Sequence, residues 1–269
     1  IIGGTVKIET IKEYIDWAPF AMTWGLKPKQ LQEKVGQDLM EDAMQMIDLL
    51  AEKIEVNFCF SIDPCTKENE DVTVTRRNRK ETFNFLRQPQ RKSATKNLCL
   101  SDFLHDQDWL GTFAIWVDGI DDRADTLRLA NDDYRCILVQ ALGDRFAEAT
   151  AEWLHAHVRK KYWGYAPEEN LNNEDLILEK YKGIRPAPGY PACPDHTQKI
   201  KILKWLAVNH MVKLTDGLTM TPKSAICGWY FANPESKYFG VSKLPKSHLD
   251  DLEQRNEYFK KYRSHLEQE

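Results

Sequence analysis

Apolar positions recur at steps of three and four over residues 28 to 54. Leu31, Val35, Leu39, Ala43, Met46, Ile47 and Leu50 fall on one stripe, which predicts an amphipathic helix packed against a core. A second long helix is predicted from about 132 to 161, where Val139, Leu142, Phe146, Ala149 and Trp153 share a face at 100° per residue. Elsewhere the pattern shortens to β-rich runs at 55–60, 71–75, 98–103, 110–117, 225–232 and 237–242, several of them alternating or rich in aromatic and β-branched residues. Asn233-Pro234-Glu235-Ser236 reads as the turn of a hairpin joining the last two. Strands gathered around long helices, without regular βαβ alternation, predict an α+β fold with a largely antiparallel sheet. With no repeat, Gly/Ser linker or low-complexity stretch, residues 1–269 read as one domain, and the polar segment 67–96 is expected to contain a mobile loop.

The opposite face of the second helix changes character halfway. Tyr134, Ile137, Leu138 and Ala141 call for burial, and Asp144, Arg145, Glu148, Glu152 and His155 continue in the same direction. A solvated stripe is one reading. Against it, Asp144 to Glu148 and Glu148 to Glu152 are like-charged at i,i+4, each costing a few tenths of a kcal/mol. Acidic groups sharing a face with buried apolar ones suggest a pocket wall.

Composition then narrows the classes of function. The 37 Lys and Arg nearly balance 41 Asp and Glu, for a net charge of −4, so no basic field exists to hold nucleic acid. The longest apolar run, Phe113-Ala114-Ile115-Trp116-Val117, is far below the roughly 18 residues that cross a bilayer. The chain is therefore expected to be soluble and cytoplasmic, without a membrane partner. It begins Ile1-Ile2 without Met, as a piece of a longer polypeptide would. Its six cysteines are scattered along the chain and read as reduced thiols rather than a disulfide framework.

The segment from Arg185 to His196 holds four prolines within nine residues. Each fixes φ and removes a backbone donor, so the segment is neither helix interior nor central strand but a stiff loop. Held there with little entropy to lose are one Arg, a Gly allowing close backbone approach and a Tyr, a set suited to a small anionic or zwitterionic ligand. A Pro-rich surface spacer is the plainer alternative. Cys193 and His196, with Cys59 and Cys65, offer C-x2-H and C-x5-C pairs, a poor match to the two close ligand pairs of a zinc site. Cys193 fares no better as a nucleophile, because a nearby His in sequence does not guarantee a base in space. Neither a metal nor a catalytic residue is expected.

The run from Gly183 to His196, GIRPAPGYPACPDH, resembles the signature of the activation domain of cobalamin-dependent methionine synthase. The resemblance continues in order along the chain. Ile15-Asp16-Trp17-Ala18-Pro19-Phe20 with Met22-Thr23-Trp24 resembles the family's opening segment, and Leu98-Cys99-Leu100-Ser101-Asp102-Phe103 a later one. The runs from Ala141 to Ala149, Tyr162 to Tyr165, Gly228 to Phe231 and Ser236 to Phe239 also match. Departures fall at Val56 to Pro64, at Trp116 to Gly119, and at Cys227, where the family usually has Ser.

The resemblance implies a single curved, C-shaped α+β domain with a twisted, largely antiparallel sheet and flanking long helices. It implies binding of S-adenosylmethionine and presentation of its methyl group to a cobalamin carried by a neighbouring domain. Cob(II)alamin, one electron from a flavodoxin-type donor and that methyl together regenerate methylcobalamin. The site carried across comprises Asp16, Glu148, Arg185, the backbone at Ala187 and Gly189, Tyr190, and the Tyr238-Phe239 pair. Arg185 is expected to take the ligand carboxylate, with Asp16 and Glu148 sharing the ammonium and the ribose. Asp144 and Arg145 are expected to meet the corrinoid domain. Three other readings are a stand-alone, diverged reactivation protein, a self-sufficient methyltransferase and a metal-stabilised interaction domain. A doubly wound methyltransferase would need a Gly-rich turn after its first strand, and the chain contains no G-x-G.

Overall fold

A computed structural model of the chain describes residues 1–89, 96–241 and 243–266. Its centre is β2 (Glu55–Glu68), a strand of 14 residues whose two edges are both occupied. On one edge lies β5 (Gln107–Asp118), antiparallel, in a register that sets Phe60 opposite Phe113. On the other edge β1 (Ile2–Val6) pairs with the first half of β2, and β3 (Asp71–Arg76) with the second. β4 (Arg79–Asn84) extends the sheet beyond β3, and β8 (Ala225–Tyr230) closes it beyond β5, all antiparallel. A short ribbon of β6 (Lys213–Leu214) and β7 (Met220–Thr221) stands apart.

The helices in chain order are α1 (Ile8–Ile11), α2 (Trp17–Thr23), α3 (Lys34–Leu50), α4 (Ile120–Leu129), α5 (Asp133–His157), α6 (Asn173–Ile177), α7 (Gln198–Trp205), α8 (Lys246–Arg255) and α9 (Phe259–Leu266). Cores form on both faces of the sheet. Phe58, Phe60, Phe113, Ile115 and Val117 pack against α3 and α5, while Cys59, Ala114, Trp116 and Trp229 pack against α7. This explains the unbroken apolar run in β5: a central strand covered on both sides needs no polar alternation.

The α3 pattern begins later than the periodicity predicts, because Pro28–Gln32 forms a separate 3₁₀ turn. The expected strand at 98–103 is instead a 3₁₀ turn at Leu100–Phe103. The Asp102 carboxylate accepts from the Cys99 backbone N–H at 2.9 Å and binds Arg87, so local capping outcompetes pairing. The expected strand at 237–242 is also not formed, and Ser242 lies outside the described residues. The Asn233 turn exists, with Ser236 N–H donating to Asn233 O at 3.1 Å. Beyond it, Val241 donates to Pro191 O and Gly240 O accepts from Gln88, so the segment is tied to the proline loop instead of β8.

Tyr134 and Ile137 are exposed, contrary to the burial their helix face predicts, because Tyr134 sits at the helix start and reaches across to Asp42. In 67–96, β3 and β4 take up 71–84; residues 90–95, within the expected mobile loop, lie outside the described residues. The strands β1 and β4 were not visible as patterns, one being Gly-rich and the other largely polar.

Candidate functional site

Helix α5 crosses the sheet beside β5 and β8, and the proline loop lies over the same edge. What seats the loop is backbone pairing. Ile184 and Phe231 exchange two hydrogen bonds of 3.0 Å, and Trp229 N–H donates to Pro186 O at 3.0 Å. Gly228 permits that approach, since a Cβ there would stand 2.4 Å from Pro186 O. The loop is therefore built into the fold, not laid on it as a spacer, and Ile184, Pro186, Ala187 and Pro188 are buried.

Between loop and helix opens a cavity of about 490 Å³, within the size range of small-molecule sites. Glu148, Arg185, Ala187, Tyr190, Tyr238 and Phe239 line it, together with apolar Phe113, Ala151 and Ile226. A second cavity of about 270 Å³ adjoins it across Glu148, Glu179 and Arg185, which line both. The second is the ionic one, with Asp16, Arg145 and Glu152 in its walls.

Six of the eight predicted binding residues thus meet in the first cavity. Asp16 lines only the second, where its carboxylate also caps α2 by accepting from Ala18 N–H at 2.9 Å. Gly189 lines neither cavity. Its φ of +90° and the His196 ring, 2.4 Å from where a Cβ would sit, make it a turn position of the loop. Of the predicted docking pair, Arg145 lines the second cavity, while Asp144 lines neither and accepts from Ser224 Oγ at 3.1 Å. Burial pushes the Asp144 carboxyl up, offset in part by that bond.

Arg185 is the electrostatic centre. Its Nη2 stands 2.8 Å from Glu152 Oε2, its Nη1 donates to Tyr181 Oη at 2.7 Å, and its backbone N–H donates to Tyr238 Oη at 3.0 Å. Burial opposes the charge of the guanidinium, but Glu152, Tyr181, Tyr238 and Glu148 together outweigh it and raise its pKa. Below it His155 is fully buried, ring-stacked on Tyr230, and held well below the ordinary histidine range by burial and then by Arg159 and Arg185. It is neutral at pH 7. Tyr190 donates to Glu148 Oε1 at 3.4 Å; burial and that carboxylate push the phenol up to about 12.

Two functional candidates escaped the sequence. Glu179 precedes the loop outside any recognised motif, and burial raises its carboxyl, with Arg185 opposing. It is a non-glycine residue at φ +54°, a strain that only coordinates reveal. Glu152 was reached only in part: its i+4 spacing from Glu148 put it on a face read as a pocket wall, but no role was assigned to it. Cys193, Cys59 and Cys65 are buried free thiols, and no group of three or more metal-ligating side chains occurs among the described residues. Burial drives the Cys193 thiol well above its ordinary value, the opposite of what a nucleophile needs. No helix among the described residues is long and apolar enough to cross a membrane.

A cavity of this size with a smaller ionic one beside it gives this α+β fold the make-up of a small-molecule-binding domain. A family model described as vitamin B12 dependent methionine synthase, activation domain, matches residues 7–257, and the chain belongs to that family. It is similar to a solved structure of the MetH reactivation domain bound to AdoHcy, at 41% identity and a TM-score of 0.88. The match covers 94% of this chain and 85% of that one.

Proposed function

We propose that this chain binds S-adenosylmethionine in the paired cavities and presents its methyl group to a corrinoid carried on a neighbouring domain of a methionine synthase, restoring the cofactor after oxidation. The observation that carries this reading is the convergence of Arg185, Glu148 and Glu179 with Ala187, Tyr238 and Phe239 around one cavity. Family membership supports it, as does the AdoHcy bound to the similar reactivation domain.

The residues suit a ligand with a carboxylate, an ammonium, a sulfonium and an adenosine. The Arg185 fork offers the carboxylate charge-assisted hydrogen bonds. Glu148 and Glu179 give the ammonium and the sulfonium nearby negative charge, and Tyr238, Phe239 and the Ala187 backbone make a flat, partly apolar seat for the base. When bound, S-adenosylmethionine supplies an electrophilic methyl group, and the corrinoid accepts it together with one electron. This chain's own task is to bind and orient, which matches a site whose neighbouring histidine, His155, is buried and neutral. Asp144 and Arg145 flank the cavities as contacts for the corrinoid domain, and a flavodoxin-type donor is the partner for the electron.

Calorimetric titration with S-adenosylmethionine tests the reading. Saturable binding is expected, weakened about a hundredfold in Arg185→Ala. A folded wild-type chain that takes up no S-adenosylmethionine refutes it.

A further inference from the structure

Beneath the cavities lies a buried ionic cluster that no part of the proposed function has used. Arg159, in the π-helical turn Val158–Tyr162 that follows α5, has a side chain with no exposure, and Glu169 answers its charge with three contacts of 2.7 to 3.1 Å. Glu152, one turn after Glu148 on the same helix, sits between Arg159 and Arg185. One of its oxygens, Oε2, pairs with Arg185 Nη2 at 2.8 Å. The other, Oε1, stands 4.0 Å from Arg159 Nη1, and neither of those two atoms has a hydrogen-bond partner among the described residues.

That asymmetry decides what Glu152 is for. A carboxylate placed to neutralise Arg159 would close on it, and here it stays at 4.0 Å while Glu169 does that work. Its one short ionic contact is to Arg185, a residue that lines both cavities and whose side chain is only 18% exposed. A guanidinium has five N–H donors. Those directed at Glu152, Tyr181 and the His155 ring account for at most three of them, so the fork can be held from behind and still face a ligand. We propose that Glu152 is a positioning residue: it fixes the Arg185 guanidinium in the orientation that receives the ligand's carboxylate, without touching the ligand itself. This rests on the reading of Arg185 as the carboxylate's partner.

The test separates the two claims with a pair of ligands, S-adenosylmethionine and its decarboxylated form, which keeps the ammonium, sulfonium and adenosine. Both are titrated into the wild type, Arg185→Ala and Glu152→Gln, with circular dichroism as the check on folding. Glu152→Gln is expected to weaken S-adenosylmethionine about tenfold or more and to leave the decarboxylated ligand within about twofold. Equal weakening of both ligands would make Glu152 a merely structural residue, and no weakening of either would make it idle; each overturns the proposal. Should Arg185→Ala fail to discriminate between the ligands, the carboxylate reading falls and takes the proposal with it. Discrimination by Arg185→Ala but not by Glu152→Gln sinks the positioning role alone. If the Gln variant does not fold, Glu152→Asp keeps the charge beside Arg159, draws it back from Arg185 and is judged by the same criterion.

Discussion

Two ionic clusters lie on opposite sides of the sheet, and they are finished to different degrees. On the α7 side, Asp63 accepts from Arg76 Nε at 2.7 Å, from Ser61 Oγ at 2.8 Å and from Trp205 Nε1 at 2.8 Å. Its carboxylate has a partner on each oxygen. On the α5 side, the chain from Glu169 through Arg159 and Glu152 to Arg185 leaves one carboxylate oxygen and one guanidinium nitrogen buried, 4.0 Å apart and without a hydrogen-bond partner among the described residues. A saturated network holds strands and helix together and has no capacity left for a ligand. An unsaturated one is costly unless something else compensates for it, and Glu152, which carries one of the open atoms, lines the second cavity.

The strongest way to break this contrast is to remove the cation at the heart of the open cluster. Arg159→Met leaves the largely buried Glu169 carboxylate without its partner, and a loss of about 4 kcal/mol is expected, read as a fall in Tm of about 10 °C. Asp63→Asn breaks the closed cluster and is expected to cost about 3 kcal/mol. The two differ in the second readout. Asp63→Asn should leave S-adenosylmethionine affinity unchanged in the folded fraction, whereas Arg159→Met should weaken it through Glu152. Equal effects of both variants on affinity would erase the distinction.

The sequence reached one of these clusters and not the other. The proline loop, with Arg185, was legible because four prolines and a glycine force a conformation whatever surrounds them. The acidic stripe of α5 was legible as an anomaly, since like charges at i,i+4 oppose helix stability. What stayed hidden depends on contacts between distant segments. Arg159 and Glu169 are ten residues apart but meet only because α5 ends in a π-helical turn at Val158–Tyr162, and Asp63 meets Trp205 across 142 residues. The strand expected at 237–242 failed for the same kind of reason: its backbone partner is the proline loop, and local propensity cannot announce that.

Acid separates the clusters next. His155 has a folded pKa below its unfolded value, so the unfolded chain binds the proton first. Its contribution to stability is complete above about pH 6.5 and is lost as pH falls, at about 1.4 kcal/mol per pH unit. Asp63 also has a lowered folded pKa, set by burial being outweighed by its bonds to Arg76, Ser61 and Trp205. Its contribution is complete above about pH 4 and is lost only below that. Chemical denaturation between pH 7 and pH 5 should therefore show a slope that His155→Gln removes and Asp63→Asn does not. A wild-type stability that is flat over that range would contradict a neutral, buried His155.

The smallest expected effect tests how Arg185 itself is held. Its head is gripped by Glu152, and its backbone N–H donates to Tyr238 Oη, a phenol that also lines the cavity. Tyr238→Phe keeps the ring and deletes that single acceptor, which is expected to cost about 1 kcal/mol of stability. The guanidinium remains fixed by Glu152 and Tyr181, so affinity for S-adenosylmethionine should fall less than about fivefold. Thermal melts and titration on the same preparation read both numbers. If affinity fell as far as in Glu152→Gln, the backbone anchor would matter as much as the ionic one, and the open cluster beneath the cavities would lose its special claim on Arg185.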